Sequence, residues 1–425
     1  MGSSLDARRG ARSSGWRAVA VAPALVVLPL LAATGPARAD VLWELNDAAL
    51  EAALATKQFP YQQARTLALL NVAVFDAVNA CEPLYRPYLA PQGAPRGGST
   101  EAAAASAGRA VLGALFPERK ADWERLAASA LSRVEDPAAR ERGISTGERA
   151  AAALLALRAA DGSSATSAYR PVTQPGRYVP TALPVGAAWG RVTPWAMKAS
   201  DQLRPAPPPA LDSATWRRDY EEVRAVGAKS SATRTPKQAE AARFWIVTGA
   251  AAQWPLLRAL SVAPGRTLAQ NARLLAAASM AIADAYIAVF DAKYAYLFWR
   301  PITAIRNGGG LREPLAEEAT WEPLVETPMH PEYPSAHCVN AGAIAAVLEA
   351  EFGDGPLPGL EMTSASAPGV VHRWSTLREW QDEVASARIW GGIHYRASTE
   401  VGTGMGRRIG ALATQRLPPG VAKGN

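Results

Sequence analysis

Five side chains between positions 293 and 394 carry the chemistry open to this sequence: Lys293, Arg300, His337, Arg388 and His394. Lys293 and Arg300 stand seven residues apart, and on one helix that spacing leaves them about 20° apart on a single face. Tyr, Ala, Tyr, Leu, Phe and Trp lie between them, too apolar a set for that face to be solvent. Further on, Pro334 precedes Ser335, Ala336 and His337, and the apolar residues Val339, Ala343, Ile344, Val347 and Leu348 follow at helical spacing. That pattern predicts a proline-initiated helix whose first turn offers unpaired N–H groups and the positive end of the macrodipole to an anion. Thr376 and Glu379 then read as a capping box. The helix they start runs through Trp380 and Val384 to Arg388, and Gly391 and Gly392 release the chain before His394.

Three cations, a serine hydroxyl and a helix N terminus suit an oxyanion. Lys293, Arg300 and Arg388 would neutralise its oxygens, with arginine's planar fork matched to two oxygens at once. Ser335 and the Ala336 N–H would add shorter-range donors.

The motifs resemble the signature shared by vanadium-dependent haloperoxidases and the type 2 phosphatidic acid phosphatase superfamily. Its three parts stand here as Lys293 with Arg300-Pro301, Pro334-Ser335-Ala336-His337, and Ala387-Arg388 with His394. Ala336 replaces the family's glycine and Ala387 its serine, which leaves backbone N–H and charge in place. Ser398 stands where many members have an aspartate four residues after the last histidine, which removes the usual orienting partner of His394. Ser398 itself, or Glu400 as a substitute, is the expected replacement. The stretches ARTLALLNVAVFDAVNA, SSATRTPKQAEAARFW and DAYIAVFDAKYAYLFWRPITAIR extend the resemblance to soluble bacterial haloperoxidase-type members.

The resemblance implies an all-α fold of two four-helix bundles, with vanadate held in the second by Lys293, Arg300, Ser335, Ala336, Arg388 and His394. His394 would be the metal's protein ligand and His337 the general acid or base. Hydrogen peroxide would give a proton to His337, Lys293 would polarise it, and halide would attack the resulting electrophilic oxygen, halogenating a small organic acceptor. His330, five residues before Ser335, occupies a position where algal bromoperoxidases carry a histidine and fungal chloroperoxidases an aromatic residue. It therefore points to bromide or iodide. Phosphate can occupy the same cradle, so a soluble acid phosphatase acting on phosphomonoesters through a phosphohistidine on His394 is an alternative. A helical anion-binding protein without turnover is a third reading. Tyr333 and Trp299 are expected to pack or to wall the site, and His372 lies outside the motif.

The first 39 residues read as an export signal: Arg8, Arg9, Arg12 and Arg17, an apolar run from Ala18 to Ala33, then Ala37-Arg38-Ala39 before Asp40. Arg8-Arg9 raises a twin-arginine route, ordinary secretion being the default. The mature protein is expected to be periplasmic or secreted. The whole chain is formally +7, and removal of the signal leaves too small a positive charge for nucleic-acid binding to be an expectation. Cys81 and Cys338 are too few for a disulfide framework and read as two buried thiols. The longest apolar stretch, Leu274 to Phe290, contains Asp284, so no mature membrane span is expected.

Helical periodicity fills 40–165, as in Leu67, Leu70, Val74 and Val78 after Pro60, with helices predicted at 101–115, 119–133 and 146–160. Ser145 and Glu148 read as the capping box that starts the last of these, and Asp161-Gly162 ends it. The nine prolines from Pro171 to Pro209 exclude regular helix over the connector 166–212, whose Tyr178, Trp189 and Trp195 predict that it packs on the body. In 213–425, expected to form one integrated domain with 40–165, helices resume at Trp216–Val226. Thr235-Pro236-Lys237-Gln238 begins another, and a long apolar helix from about 267 leads to Lys293. The triplet Gly308–Gly310 breaks the chain. No strand pattern or repeat is evident. An alanine-rich bundle of this kind could pair with a second copy of itself, which leaves a homo-oligomer as an expectation.

Overall fold

A computed structural model describes residues 40–90, 93–180, 182–263, 265–310 and 315–420. The expected export signal lies outside them. Helices form where caps and periodicity agree. α1 (Val41–Ala55) starts at Asp40, whose carboxylate accepts from the Leu42 N–H, and α2 (Pro60–Cys81) places its proline in the first turn. α3 (Thr100–Leu115) and α4 (Lys120–Ser132) fall where the periodicity puts them. α5 (Pro137–Arg158) does not begin at Ser145. Asp136 caps it by accepting from the Ala138 and Ala139 N–H groups, with Pro137 in the first turn, so the Ser145–Glu148 pair sits inside a helix already running.

The proline-rich connector crosses without α-helix among its described residues. Tyr178, Trp189 and Trp195 are buried, as expected of a segment that packs on the body. What pins it is Asp284, fully buried, whose carboxylate accepts from the backbone N–H groups of Trp195, Ala196 and Met197. The charge that interrupts the longest apolar stretch is thus a tertiary anchor.

α6 (Ala214–Gly227), α7 (Pro236–Phe244) and α8 (Ala250–Ser261) precede α9 (Leu268–Tyr296), which opens with a Thr267–Gln270 capping box. By length and composition α2 and α9 could each cross a membrane, but both are mostly buried inside the protein. After the short α10 (Pro301–Arg306) come α11 (Ala336–Phe352), α12 (Leu377–Trp390) and α13 (Arg396–Arg416). Between α11 and α12, β1 (Glu361–Ser364) and β2 (Ala367–Arg373) form an antiparallel hairpin, which corrects the expectation of no strand. Four residues alternating exposed and buried are too short a signal to stand out in the sequence.

α2, α3 and α5 pack on one another, with α1 against α2 and α3, while α9, α11, α12 and α13 make a second group of four. α9 lies against α2 as well as α11 and α13, so the two helical groups share a continuous core. The closest approach is α11 on α13. A Cβ on Gly406 would lie 2.0 Å from the Val339 carbonyl oxygen, one on Gly410 2.2 Å from that of Ala343, and one on Gly342 2.4 Å from that of Thr403. Glycine at these three positions lets the backbones touch. That contact matters because both helices begin at the site.

Candidate active site

Lys293 and Arg300 do not share a helix. α9 stops at Tyr296, Leu297 takes a left-handed conformation (φ 53°), and Arg300 becomes the N-cap of α10. The two side chains are nevertheless brought together by the turn, each buried. Lys293 donates to the carbonyls of Pro331 and Glu332, both at 2.8 Å. Burial and the neighbouring Arg300 hold its ammonium well below its ordinary pKa.

Arg300 organises the site. Its Nε donates to the His330 carbonyl (3.0 Å), Nη2 to His330 Nδ1 (3.0 Å), and Nη1 to the Ile393 carbonyl (2.8 Å) and to His394 Nε2 (3.2 Å). A guanidinium can only donate, so His394 Nε2 must be an acceptor, whereas His330 Nδ1 lies both on Arg300 and 3.2 Å from the Pro331 carbonyl, a donor and an acceptor at one nitrogen. Burial, partly offset by Glu332, brings Arg300 down to about 10.

Pro334 sits just ahead of α11 rather than within it; Ser335 is the N-cap and its side chain accepts no capping hydrogen bond. The expected anion-binding turn is therefore in place with its hydroxyl uncommitted to the helix. Arg388, in the last turn of α12, donates through Nη1 to the Trp245 carbonyl. Burial lowers it to about 10. His337 Nε2 lies 3.2 Å from the Val247 carbonyl, which can only accept, so Nε2 bears the proton and Nδ1 of the neutral ring is free to take one. Burial foremost, with Arg388 for His337, Lys293 for His330 and Arg300 for His394, holds all three imidazoles well below the usual histidine range.

Neither Ser398 nor Glu400 orients His394. The carboxylate is Glu332, with no exposed surface, whose Oε1 accepts from His394 Nδ1 at 2.7 Å and from the Tyr395 N–H at 3.1 Å. Burial raises Glu332 to about 7 against the pull of Arg300 and Lys293. Sequence reasoning does not find this residue, because Glu332 sits between Pro331 and Tyr333 with no periodic or motif partner. Its one signal is a carboxylate next to the Pro-Ser motif.

Ala336 and His337 at the start of α11 come together with Arg388 and His394, and the N-cap Ser335 is buried next to Ala336. Ala336, His337, Arg388 and His394 face a cavity of about 650 Å³ that His330 and the side chains of Phe290, Tyr286, Tyr61 and Ile246 also line, with Lys293 and Arg300 buried behind. Within this cradle Ser335 Oγ and Arg388 Nε are buried without a hydrogen-bond partner among the described residues. Leaving such groups bare costs about 1–3 kcal/mol each, more where charge is involved. An oxyanion would satisfy both and offset three buried cations, and His394 Nε2 carries the lone pair a metal ligand needs, so the residues fit vanadate. Phosphate meets the same donors.

Of the remaining residues, Tyr333 donates to the Ala206 carbonyl and Trp299 packs in a separate aromatic cluster with Trp216, so both are packing groups. His372 bonds Glu383 on the hairpin side and does not line the cavity. Cys81 and Cys338 are both free thiols; Cys338 is buried and Cys81 half-buried.

A family model described as the VCPO second helical-bundle domain matches residues 273–419, which hold every motif residue. Among solved structures, the first bacterial vanadium-dependent iodoperoxidase is similar with 25% identity, a TM-score of 0.75, and 90% of this chain and 98% of that chain covered. An apo-type bacterial vanadium-dependent chloroperoxidase is similar at 16% identity and a TM-score of 0.68, over 84% of this chain and 93% of that one. Its holo-type counterpart is similar at 18% identity and a TM-score of 0.68, over 84% and 91%. No curated protein matches by sequence.

Proposed function

This chain belongs to the vanadium haloperoxidase and PAP2-like superfamily, and from that premise we propose that it is an exported vanadate-dependent haloperoxidase, oxidising bromide or iodide with hydrogen peroxide to halogenate small organic acceptors. The observation that carries the reading is the pairing of His394 Nε2, unprotonated, with three buried cations around one cavity. Vanadate, when bound, supplies a Lewis acid that makes peroxide electrophilic without changing oxidation state.

The chain's own residues do the rest. Lys293, Arg300 and Arg388 hold the anion and its charge in a water-poor site where preorganised donors act most strongly. His337, oriented by the Val247 carbonyl, takes a peroxide proton on Nδ1. Lys293 keeps one N–H beyond its two carbonyl bonds to polarise the oxygen being transferred. The apolar walls of the cavity accommodate an organic acceptor next to the oxidant. His330, hydrogen-bonded with Arg300 and edge-on to Phe290, lines the cavity, and the similarity to an iodoperoxidase supports the softer halides.

The second reading is a phosphatase through His394, whose lone pair beside a carboxylate-bonded Nδ1 would equally suit attack on phosphorus. Purified mature protein with orthovanadate, assayed for peroxide- and halide-dependent halogenation beside phosphomonoester hydrolysis, decides between them. Phosphate release without halogenation overturns the proposal, and neither activity favours an anion-binding protein.

A further inference from the structure

We infer that Glu332 is the positioning residue of His394: its carboxylate fixes the ring's proton on Nδ1 and would leave Nε2 to a bound oxyanion, so that the segment between α10 and α11 performs a task that Ser398 on α13 does not. This rests on the proposed vanadate or phosphate reading of the site.

Two independent contacts select one tautomer. On one side, Glu332 Oε1 lies 2.7 Å from Nδ1 and is held there by the Tyr395 N–H at 3.1 Å, so the oxygen, not a donor, faces the ring. On the other, Arg300 Nη1 at 3.2 Å can only donate to Nε2. A ring with hydrogen on Nε2 would lose both bonds at once. His337 has the opposite state, with Nε2 donating to the Val247 carbonyl. The two motif histidines therefore bear their protons on opposite nitrogens, His394 on Nδ1 and His337 on Nε2.

The tertiary structure places Ser398 next to this carboxylate. Ser398 lies in the first turn of α13, its carbonyl accepting from the Ser335 N–H at 3.2 Å, and its hydroxyl favours the charged form of Glu332. Position 398 thus lies beside the Glu332 carboxylate on a second segment, and an aspartate there would return a negative charge to the place where Glu332 acts. A partner of this kind raises ligand basicity, and its loss costs about 10–100-fold in metal affinity.

Two measurements test this. The chain has four histidines, so ring ¹⁵N spectra of ¹⁵N-histidine protein without added anion are tractable, with His394→Ala giving the assignment. The expected signal is a neutral His394 protonated on Nδ1; protonation on Nε2 overturns the inference without any change at Glu332. In the second measurement, calorimetry compares orthovanadate with inorganic phosphate. Glu332→Gln, which keeps an acceptor but loses the charge, should weaken vanadate about tenfold and leave phosphate within about threefold, because only vanadate draws on a bond to nitrogen. Adding Ser398→Asp to Glu332→Gln should restore the wild-type ratio of the two affinities. Equal losses for both anions, or no loss for either, would show a merely structural glutamate. Should Glu332→Gln fail to fold, the double variant carries the test, and a ratio still about tenfold low overturns the inference. If wild-type protein binds neither anion, it is the oxyanion reading that fails, while the spectra still decide the tautomer.

Discussion

Arg300 Nη1 lies 3.2 Å from His394 Nε2 and donates to the lone pair of that nitrogen. The same guanidinium would supply positive charge to an oxyanion held at His394, so it would serve both the ring and the anion. Arg300→Lys keeps the charge but loses the fork that also binds the His330 and Ile393 carbonyls. We expect vanadate and phosphate affinity each to fall by about 100-fold, equivalent to about 2.7 kcal/mol. Affinities within a few-fold of wild type, measured by calorimetry, would show that charge alone suffices.

His337 is assigned proton transfer rather than anion binding. His337→Gln is expected to lower the turnover of bromide oxidation about 10²–10⁴-fold while vanadate affinity changes little. An equal drop in affinity would place it in the cradle instead.

The same variant has a pH signature. His337's folded pKa is depressed by burial and Arg388, so the unfolded chain takes up its proton first, and the stability this neutral ring contributes is present above about pH 6.5 and lost as pH falls. Relative to wild type, His337→Gln should therefore gain on acidification, by up to about 1.4 kcal/mol per pH unit below about 6.5. Urea unfolding of the two anion-free proteins, at several pH values from about 5 to about 7.5, measures it. A constant difference would refute the assignment.

His330→Phe tests the halide. His330 shares the Arg300 fork and walls the cavity, so its loss should shift the ratio of bromide to chloride kcat/KM as well as loosen Arg300. Unchanged halide kinetics would remove the basis for preferring bromide or iodide.

At the α11–α13 crossing, Gly406→Ala would set a methyl 2.0 Å from the Val339 carbonyl oxygen, with backbone rather than a flexible side chain in the way. We expect destabilisation of about 3 kcal/mol or more, read as a fall in Tm. Since both helices begin at the cradle, anion affinity should fall with it. An unaltered Tm would mean that the helices separate freely.

Much of this is legible in the residues themselves. Caps such as Thr235-Pro236 with Gln238, and Thr267 with Gln270, are local hydrogen-bond patterns, so they fix helix starts before any packing exists. The motif names Lys293, Arg300, Ser335, His337, Arg388 and His394 because spacing and residue type survive in one dimension. Where two local signals compete, the chain alone does not choose: Ser145–Glu148 looks like a start, yet Asp136-Pro137 has already begun α5. Only the tertiary structure decided how Lys293 and Arg300 meet, across a left-handed turn at Leu297 rather than along one helix. It also decided that Glu332 and not Ser398 faces His394. A hydrogen bond between residues 62 positions apart depends on how two helix termini are brought together, and that is set by the packing of α9, α11 and α13, not by any pattern within reach of either residue.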